Sequence, residues 1–301
     1  MKHFMMIPFT GLGLYNGFRG NKWLKSRIKI FRQFVVPSLL AQTCQDFTLW
    51  VCWRYEEKNN KQVKELKEYL DQTPLKSVFT YSGVPFYDDK YEDAEARDRL
   101  VSCLSGAMGA LINEIGEVDN VLLTIQPSDD CYRQDVVHDL QEDFRNTDYE
   151  ALGISKGYIM NYNTLEVKEY NPTTNPPFYT IKFPKDIFVD PLSHAQYTGL
   201  KKDVGKYKAG TPIPSHEYVG DALNYNTTDA RGFLVGTHGA NISTTYNIPF
   251  AGEVTDLPLV DFGLEYTAPL KIKIPLKRKL YLSLPYKAQR KIRYWLTEKF
   301  K

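Results

Sequence analysis

Short apolar runs alternate with amphipathic stretches along the first half of the chain. The apolar runs predict buried strands, and the stretches between them repeat apolar residues every three or four positions, which predicts helices. The predicted strands are 3–8, 47–53, 77–84 and 120–126, and the predicted helices are 23–36, 62–70, 98–115 and 133–144. Pro37 is expected to interrupt the first helix. Strands that alternate with helices form βαβ units, so this half predicts a mostly parallel sheet flanked by helices.

The pattern changes after residue 146. Three further runs predict strands separated by turns rich in Asn, Thr and Pro, so a loop-rich, antiparallel second half is expected. These strands are 151–163, 165–170 and 180–183. The predicted organisation is an α/β half at 1–146, a second half of the same domain at 147–270 and a C-terminal tail at 271–301.

Composition fits a folded protein. Hydrophobic residues make up 43% of the 301 residues and charged residues 25%, which excludes a disordered chain. The four cysteines lack a CxxC or zinc-like spacing and are expected to be reduced thiols. No window approaches 18 apolar residues, so no membrane-spanning helix is expected. We expect a cytoplasmic protein.

Charge is distributed unevenly. The tail, residues 271–301, contains eleven Lys and Arg and a single acid, Glu298, whereas the rest of the chain carries 27 basic and 35 acidic residues. Residues 271–274 alternate like an edge strand, and residues 287–300 predict a basic amphipathic helix. This helix could be solvated, could pack on its own chain, or could contact an anionic membrane surface. Nucleic acid is not expected as a partner, because the body is acidic.

Two segments leave predicted strands at the carboxyl edge of the sheet, where open α/β sheets bind ligands. One is a glycine-rich loop that begins at Thr10, and it lacks the spacing of a dinucleotide-binding or P-loop motif. The other is Ser128-Asp129-Asp130. We call Asp129 and Asp130 the acid pair. Neighbouring carboxylates suit Mg²⁺ or Mn²⁺, although either residue could instead cap the next helix.

Several motifs occur in a characteristic order. They are Arg27 followed by Pro37-Ser38-Leu39-Leu40-Ala41-Gln42, then Glu95-Ala96-Arg97-Asp98, then residues 123–130 with the acid pair, and finally His238-Gly239-Ala240-Asn241-Ile242-Ser243. Over roughly residues 1–250 the chain resembles the family named "putative rhamnosyltransferase", which is of the GT-A glycosyltransferase type. The resemblance implies a GT-A-like mixed sheet, a nucleotide-sugar donor bound by the first half, an acceptor on the side of the second half, and a divalent cation.

The resemblance also assigns roles to residues. Asp129 and Asp130 match the last two acids of the family's metal motif, while Ser128 and Gln126 replace an acid and an arginine, which leaves metal dependence open. His238 could be a third metal ligand or a loop histidine satisfied by backbone groups. The predicted donor-binding residues are Thr10, Tyr55, Arg97, Ser128 and Asn241, with Glu56 as an alternative to Tyr55 at the nucleoside. Arg97 could instead form a surface ion pair at a helix start.

Inverting transfer needs a base that accepts the proton of the acceptor hydroxyl. Glu217 and Asp221 are the candidates, because a spacing of four residues places both on one helix face. They could also be solvated acids at a helix start. The sequence therefore predicts a metal-assisted glycosyltransferase, with rhamnose as a candidate sugar and a glycan or glycolipid as acceptor. The alternative is a non-catalytic carbohydrate- or nucleotide-binding protein on the same scaffold.

Overall fold

A computed structural model describes most of the chain. The described residues are 1–11, 20–82, 93–172, 176, 178–199, 219–239, 241, 246–248, 251–270, 276–285, 287–289 and 291–292. The glycine-rich loop beyond Gly11 lies outside these ranges, as does the predicted edge strand at 271–274.

Four parallel strands form the first half of the sheet, as predicted. They are β1 (Lys2–Pro8), β2 (Thr48–Arg54), β3 (Ser77–Ser82) and β4 (Asn120–Ile125), in the spatial order β3-β2-β1-β4. Phe4 of β1 pairs with Thr48 on one side and with Leu123 on the other. β1 is therefore an interior strand, and apolar clusters on both faces of the sheet explain its uninterrupted run of buried residues.

Helices cover both faces of this sheet. They are α1 (Asn21–Ile30), α2 (Val36–Leu40), α3 (Lys61–Asp71), α4 (Asp93–Ile115), α5 (Val136–Asn146), α6 (Lys185–Val189) and α7 (Pro191–Gly199). Leu24, Leu66 and Leu140 of α1, α3 and α5 belong to one buried apolar cluster. Leu111 of α4 and Phe188 of α6 belong to a second cluster, on the opposite face.

The prediction that Pro37 interrupts the first helix is wrong. A π-helical turn at Phe31–Val35 joins α1 to α2, and the N–H of Val36 donates to the carbonyl of Phe31. Pro37 lies directly after this π-helical turn and has no N–H to donate to the preceding turn, yet the helix continues through it. The chain therefore stays helical from residue 21 to residue 40.

One short strand of the first half, β5, and the strands of the second half extend the same sheet. They are β5 (Cys131–Tyr132), β6 (Ala151–Asn161), β7 (Val167–Tyr170), β8 (Tyr179–Pro184), β9 (Tyr225–Thr237) and β10 (Ala251–Val254). The strand β8 runs antiparallel between β4 and β6 and joins the two halves. The mixed α/β fold with flanking helices is thus confirmed.

The expectation of a purely antiparallel second half needs correction. Antiparallel pairing holds for β6 with β7 and with β8, but β6 and β9 pair in parallel over nearly their full length. The connection between them contains α6, α7 and α8 (Val219–Ala222) and returns the chain to the starting end of β6.

The tail contains a helix that the sequence did not predict, α9 (Leu276–Ser283). Of the predicted helix at 287–300, residues 287–289 and 291–292 are helical and the others lie outside the described ranges. Within the residues that the structure describes, no helix is long and apolar enough to cross a bilayer.

Candidate functional site

The acid pair lies beyond the carboxyl end of β4, between that strand and β5. Because Cys131 pairs with Leu234 and Tyr132 with Phe233, the residues before β5 lie opposite the end of β9. This pairing brings Asp129 and Asp130 to Gly236 and His238, more than a hundred residues away in the chain. The alternative that the acid pair caps the next helix does not hold, since α5 begins at Val136 after Asp135.

Three side chains contact the same carboxylate oxygen of Asp129. Its Oδ2 forms an ion pair with the Arg27 guanidinium, accepts a hydrogen bond from Nε2 of His238 at 3.1 Å and lies 3.4 Å from Nδ2 of Asn241. Burial alone would raise the pKa of Asp129, but the charge of Arg27 and the His238 contact lower it to about 2. Asp129 is therefore an ionised carboxylate with a cationic partner.

Asp130 faces the backbone. Its Oδ1 accepts a hydrogen bond from the N–H of Gly236 at 2.9 Å, and Nε2 of Gln126 donates to its main-chain oxygen at 2.8 Å. Burial and the adjacent charge of Asp129 raise the pKa of the Asp130 carboxyl well above its usual range. The two acids of the pair thus differ in chemistry, although they are neighbours in sequence.

The predicted residues His238 and Asn241 are brought to the acid pair by a tight turn after β9. The N–H of His238 donates to Oδ1 of Asn241 at 2.8 Å, and Nδ2 of Asn241 donates to the carbonyl of Gly236 at 2.6 Å. These bonds hold both side chains against Asp129. His238 is buried, with 2% of its surface exposed.

The fit of a divalent cation can be judged from these contacts. Asp129, the ionised member of the acid pair, already holds the positive charge of Arg27. Among the described residues, no group of three or more His, Cys, Asp or Glu side chains is arranged to hold a metal ion. As arranged, Asp129, Asp130 and His238 do not fit Mn²⁺ or Mg²⁺.

Arg27 was not predicted as a site residue. It lies on α1, its side chain is buried, and its guanidinium lies 5.5 Å from the ring centroid of Trp23. The one sequence signal was its place at the head of the first motif. Its contact with Asp129, far along the chain, was not visible in any local pattern.

A second polar cluster lies beyond the carboxyl ends of β1 and β2. The Thr10 hydroxyl donates a short hydrogen bond to Oε2 of Glu57, and the N–H of Arg54 lies 3.3 Å from the Thr10 hydroxyl and 3.4 Å from Oε2. Glu57 is buried, with 3% of its surface exposed. Burial raises the pKa of the Glu57 carboxyl, while the Thr10 hydrogen bond opposes this shift.

At the end of β2 the structure adds a buried residue to the exposed ones that the sequence suggested. Tyr55 is 60% exposed, and Glu56 is an exposed acid that lies near Arg54. The buried acid at this edge is Glu57, which the sequence analysis did not select. A 3₁₀ turn at Tyr55–Glu57 directs it inward next to Thr10.

The remaining predicted residues are more dispersed. Ser128 is buried in the turn between β4 and β5. Arg97 belongs to the first turns of α4, but its side chain lies outside the described part of the structure, as does all of Glu217. Asp221 is exposed on α8, before the start of β9. A 13-residue strand is roughly 40 Å long, so the structure does not bring Asp221 to the acid pair at the other end of β9.

Comparisons with known proteins find a similarity to one family over part of the chain. The family model described as "Putative rhamnosyl transferase" matches residues 18–99, a segment that contains Arg27 and Glu57. This match confirms the predicted resemblance to that family over the matched segment. No curated protein matches the chain significantly in sequence.

Several solved structures align with the chain at low identity. The structure of S. aureus TarS 1-349 is 12% identical, with a TM-score of 0.39, and the alignment covers 78% of this chain and 60% of that chain. TarS 1-349 in complex with UDP-GlcNAc is 13% identical, with a TM-score of 0.38, 79% of this chain covered and 59% of that chain. The structure of a putative nucleotide-diphospho-sugar transferase from Desulfovibrio desulfuricans G20 is 13% identical, with a TM-score of 0.34, and the alignment covers 75% of this chain and 79% of that chain. The chain thus spans about 60% of the length of the TarS 1-349 structures.

Proposed function

We propose that the chain is a glycosyltransferase that moves a sugar from a nucleoside-diphosphate donor to a hydroxyl group of a glycan. The observation that carries this proposal is the pair of polar clusters at one edge of the sheet. Because β1 lies between β2 and β4, the Glu57 cluster and the Asp129 cluster follow strands only about 10 Å apart. That edge is where open α/β sheets bind nucleotides.

The two clusters have complementary roles in this proposal. Thr10 and Glu57 hold the nucleoside, since a buried carboxyl group can bond to ribose hydroxyls or to a base N–H. Tyr55, exposed beside them, offers a ring for stacking on the base. Ser128 and Asn241 lie with the Asp129 cluster, on the side of the sugar and the diphosphate. Arg97 is proposed to face the diphosphate.

The reaction is a displacement at the anomeric carbon. The acceptor oxygen forms a bond to that carbon while the bond to the diphosphate oxygen breaks, and the electron pair leaves with the nucleoside diphosphate. A carboxylate takes the proton from the acceptor hydroxyl. Glu217 remains the candidate for this base, and transfer is expected to invert the configuration. The predicted divalent cation supplies no step here, because Asp129 is engaged by Arg27.

Rhamnose is proposed as the transferred sugar, and a glycan or glycolipid as the acceptor. The match of residues 18–99 to the rhamnosyl transferase family supports the sugar. The tail supports a lipid-linked acceptor, because Leu276 and Leu280 are 73% and 60% exposed one turn apart on α9, and the sequence between them is Lys-Arg-Lys. Apolar and basic residues combined in this way suit the surface of an anionic bilayer.

Release of nucleoside diphosphate tests the proposal. The purified chain is incubated with uridine, thymidine and guanosine diphosphate sugars, including the rhamnose donors, and with glycan acceptors. Acceptor-dependent release with one donor is expected, and Asp129→Asn should reduce it at least tenfold while Glu56→Gln, an exposed acid of the same edge, leaves it unchanged. Donor binding without release favours the non-catalytic alternative. An absence of both binding and release refutes the proposal.

A further inference from the structure

We propose that the Arg27 guanidinium occupies the position beside Asp129 that the resemblance gives to a divalent cation, and that donor binding here is independent of metal. This inference rests on the proposed function. It starts from the contact that the sequence did not foresee, the ion pair between Nη1 of Arg27 and Oδ2 of Asp129.

A metal ion would have to compete with side chains already bound to one oxygen of Asp129. The Oδ2 atom of Asp129 already meets Arg27, His238 and Asn241. A metal ion at this atom would have to displace the guanidinium and two further donors. The other acid of the pair does not compensate, since Oδ1 of Asp130 is committed to the N–H of Gly236.

Displacing Arg27 from Asp129 would cost free energy, because the ion pair is buried. The Arg27 side chain is 3% exposed, and that of Asp129 is 16% exposed. Separating a buried ion pair leaves a buried charge without its counter-charge, which is strongly unfavourable. A guanidinium also remains charged at every physiological pH, so its positive charge is permanent.

The ion pair of Arg27 and Asp129 lies at the carboxyl edge of the sheet. Arg27 lies on the helix that follows β1, and Asp129 follows β4, the neighbour of β1 in the sheet. Their contact therefore stands at the edge where the donor diphosphate is proposed to bind. In this proposal the guanidinium takes the place of the metal ion beside the diphosphate, while Asp129 balances its charge and holds it in position.

Binding of Mn²⁺ decides the metal part of the inference without any activity measurement. The paramagnetic resonance signal of free Mn²⁺ is recorded with the wild-type chain, alone and with saturating UDP, against blanks without protein. We expect the signals to equal the blanks. Binding of one Mn²⁺ that Asp129→Asn abolishes would overturn the inference. Binding that Asp129→Asn leaves intact would place the ion elsewhere and uphold the assignment of Arg27 to the position beside Asp129.

The charge of Arg27 is tested by comparing ligands with and without the diphosphate. Arg27→Gln should weaken binding of UDP about tenfold and leave binding of uridine unchanged, and Arg27→Lys should restore part of the loss. An equal loss of both ligands, or no loss of UDP, would contradict the assigned role. If the wild-type chain binds no nucleotide, the proposed function fails, while the Mn²⁺ titration still decides whether Asp129 holds a metal.

Discussion

Gly236 lies directly against Asp129. A Cβ atom at Gly236 would stand 2.2 Å from the main-chain oxygen of Asp129 and 2.3 Å from the ring of Tyr162. Tyr162 in turn donates a hydrogen bond from its hydroxyl to that same main-chain oxygen, at 2.9 Å. The end of β9 can therefore reach the acid pair only because residue 236 has no side chain.

Substitution of Gly236 should damage both the fold and the site. In Gly236→Ala the methyl group would meet backbone and a buried ring, neither of which can move cheaply, so we expect a loss of about 1–3 kcal/mol in the free energy of unfolding. The displaced strand end would also shift His238 away from Asp129. Chemical denaturation measures the first effect, and nucleotide binding measures the second.

A glycine with open space beside it provides the matched control. Gly106 lies in α4, and apart from the backbone of its own helix no atom of the described residues would be within 4 Å of its Cβ. We expect Gly106→Ala to stabilise the protein by about 0.5–1 kcal/mol, because alanine is the better helix former. Equal stability of the two variants would show that the end of β9 does not pack on Asp129 as described.

The buried acid at the end of β2 leads to a second prediction. Under the proposed function, Glu57→Gln keeps the shape of the side chain but removes an acceptor, so nucleotide affinity should fall about tenfold. Glu56→Gln, one residue away and exposed, should leave affinity unchanged. Titration calorimetry with uridine, thymidine and guanosine diphosphates measures both. If Glu56→Gln has the larger effect, the original sequence-based choice at this position is the correct one.

The local sequence pattern was sufficient to predict much of the fold and the position of the acid pair. The apolar runs that became β1, β2 and β4 are covered on both sides, and a buried parallel strand reads as an uninterrupted apolar segment. The position of Asp129 and Asp130 follows from the end of β4. These features depend only on residues close in sequence.

Other features depend on contacts between distant segments. The strand β9 begins Tyr-Asn-Thr-Thr-Asp, without an alternation of apolar residues, and its pairing with β6 gives it a place in the sheet. The contact of Arg27 with Asp129 joins residues over a hundred positions apart. Glu57 and Glu56 were equivalent in sequence, and only the phase of a 3₁₀ turn decided which one is buried.

A buried histidine in β1 predicts a loss of stability in acid. His3 is 1% exposed, its Nε2 lies 2.7 Å from the Thr124 hydroxyl, and Gln141 contacts its Nδ1 at 3.3 Å. Burial lowers its pKa from 6.5 to about 3. Between pH 6.5 and pH 3 the unfolded chain therefore binds a proton at His3 that the folded chain does not bind. As the pH falls through that window, the free energy of unfolding should decrease by up to a few kcal/mol.

Unfolding free energy measured from pH 7 down to pH 4 checks this expectation. His3→Gln keeps groups that can bond to Thr124 and Gln141 but cannot titrate, so its stability should vary less with pH than that of the wild type. His138→Gln, an exposed histidine on α5, should follow the wild-type profile. A His3→Gln profile parallel to the wild type would mean that other groups cause the acid lability.

The tail gives the last prediction. The purified chain should bind vesicles that contain anionic phospholipid and should leave neutral phosphatidylcholine vesicles unbound, with binding that weakens as salt rises. Leu276→Ser combined with Leu280→Ser keeps the charge of the tail but removes two exposed apolar side chains of α9, so affinity for anionic vesicles should fall about tenfold. Leu192→Ser, which changes a leucine on α7 that is 46% exposed, is the control and should bind as the wild type does. Cosedimentation measures all three proteins. If the double variant also binds as the wild type does, α9 does not enter the bilayer surface, and any attraction of the tail to the membrane is one of charge alone.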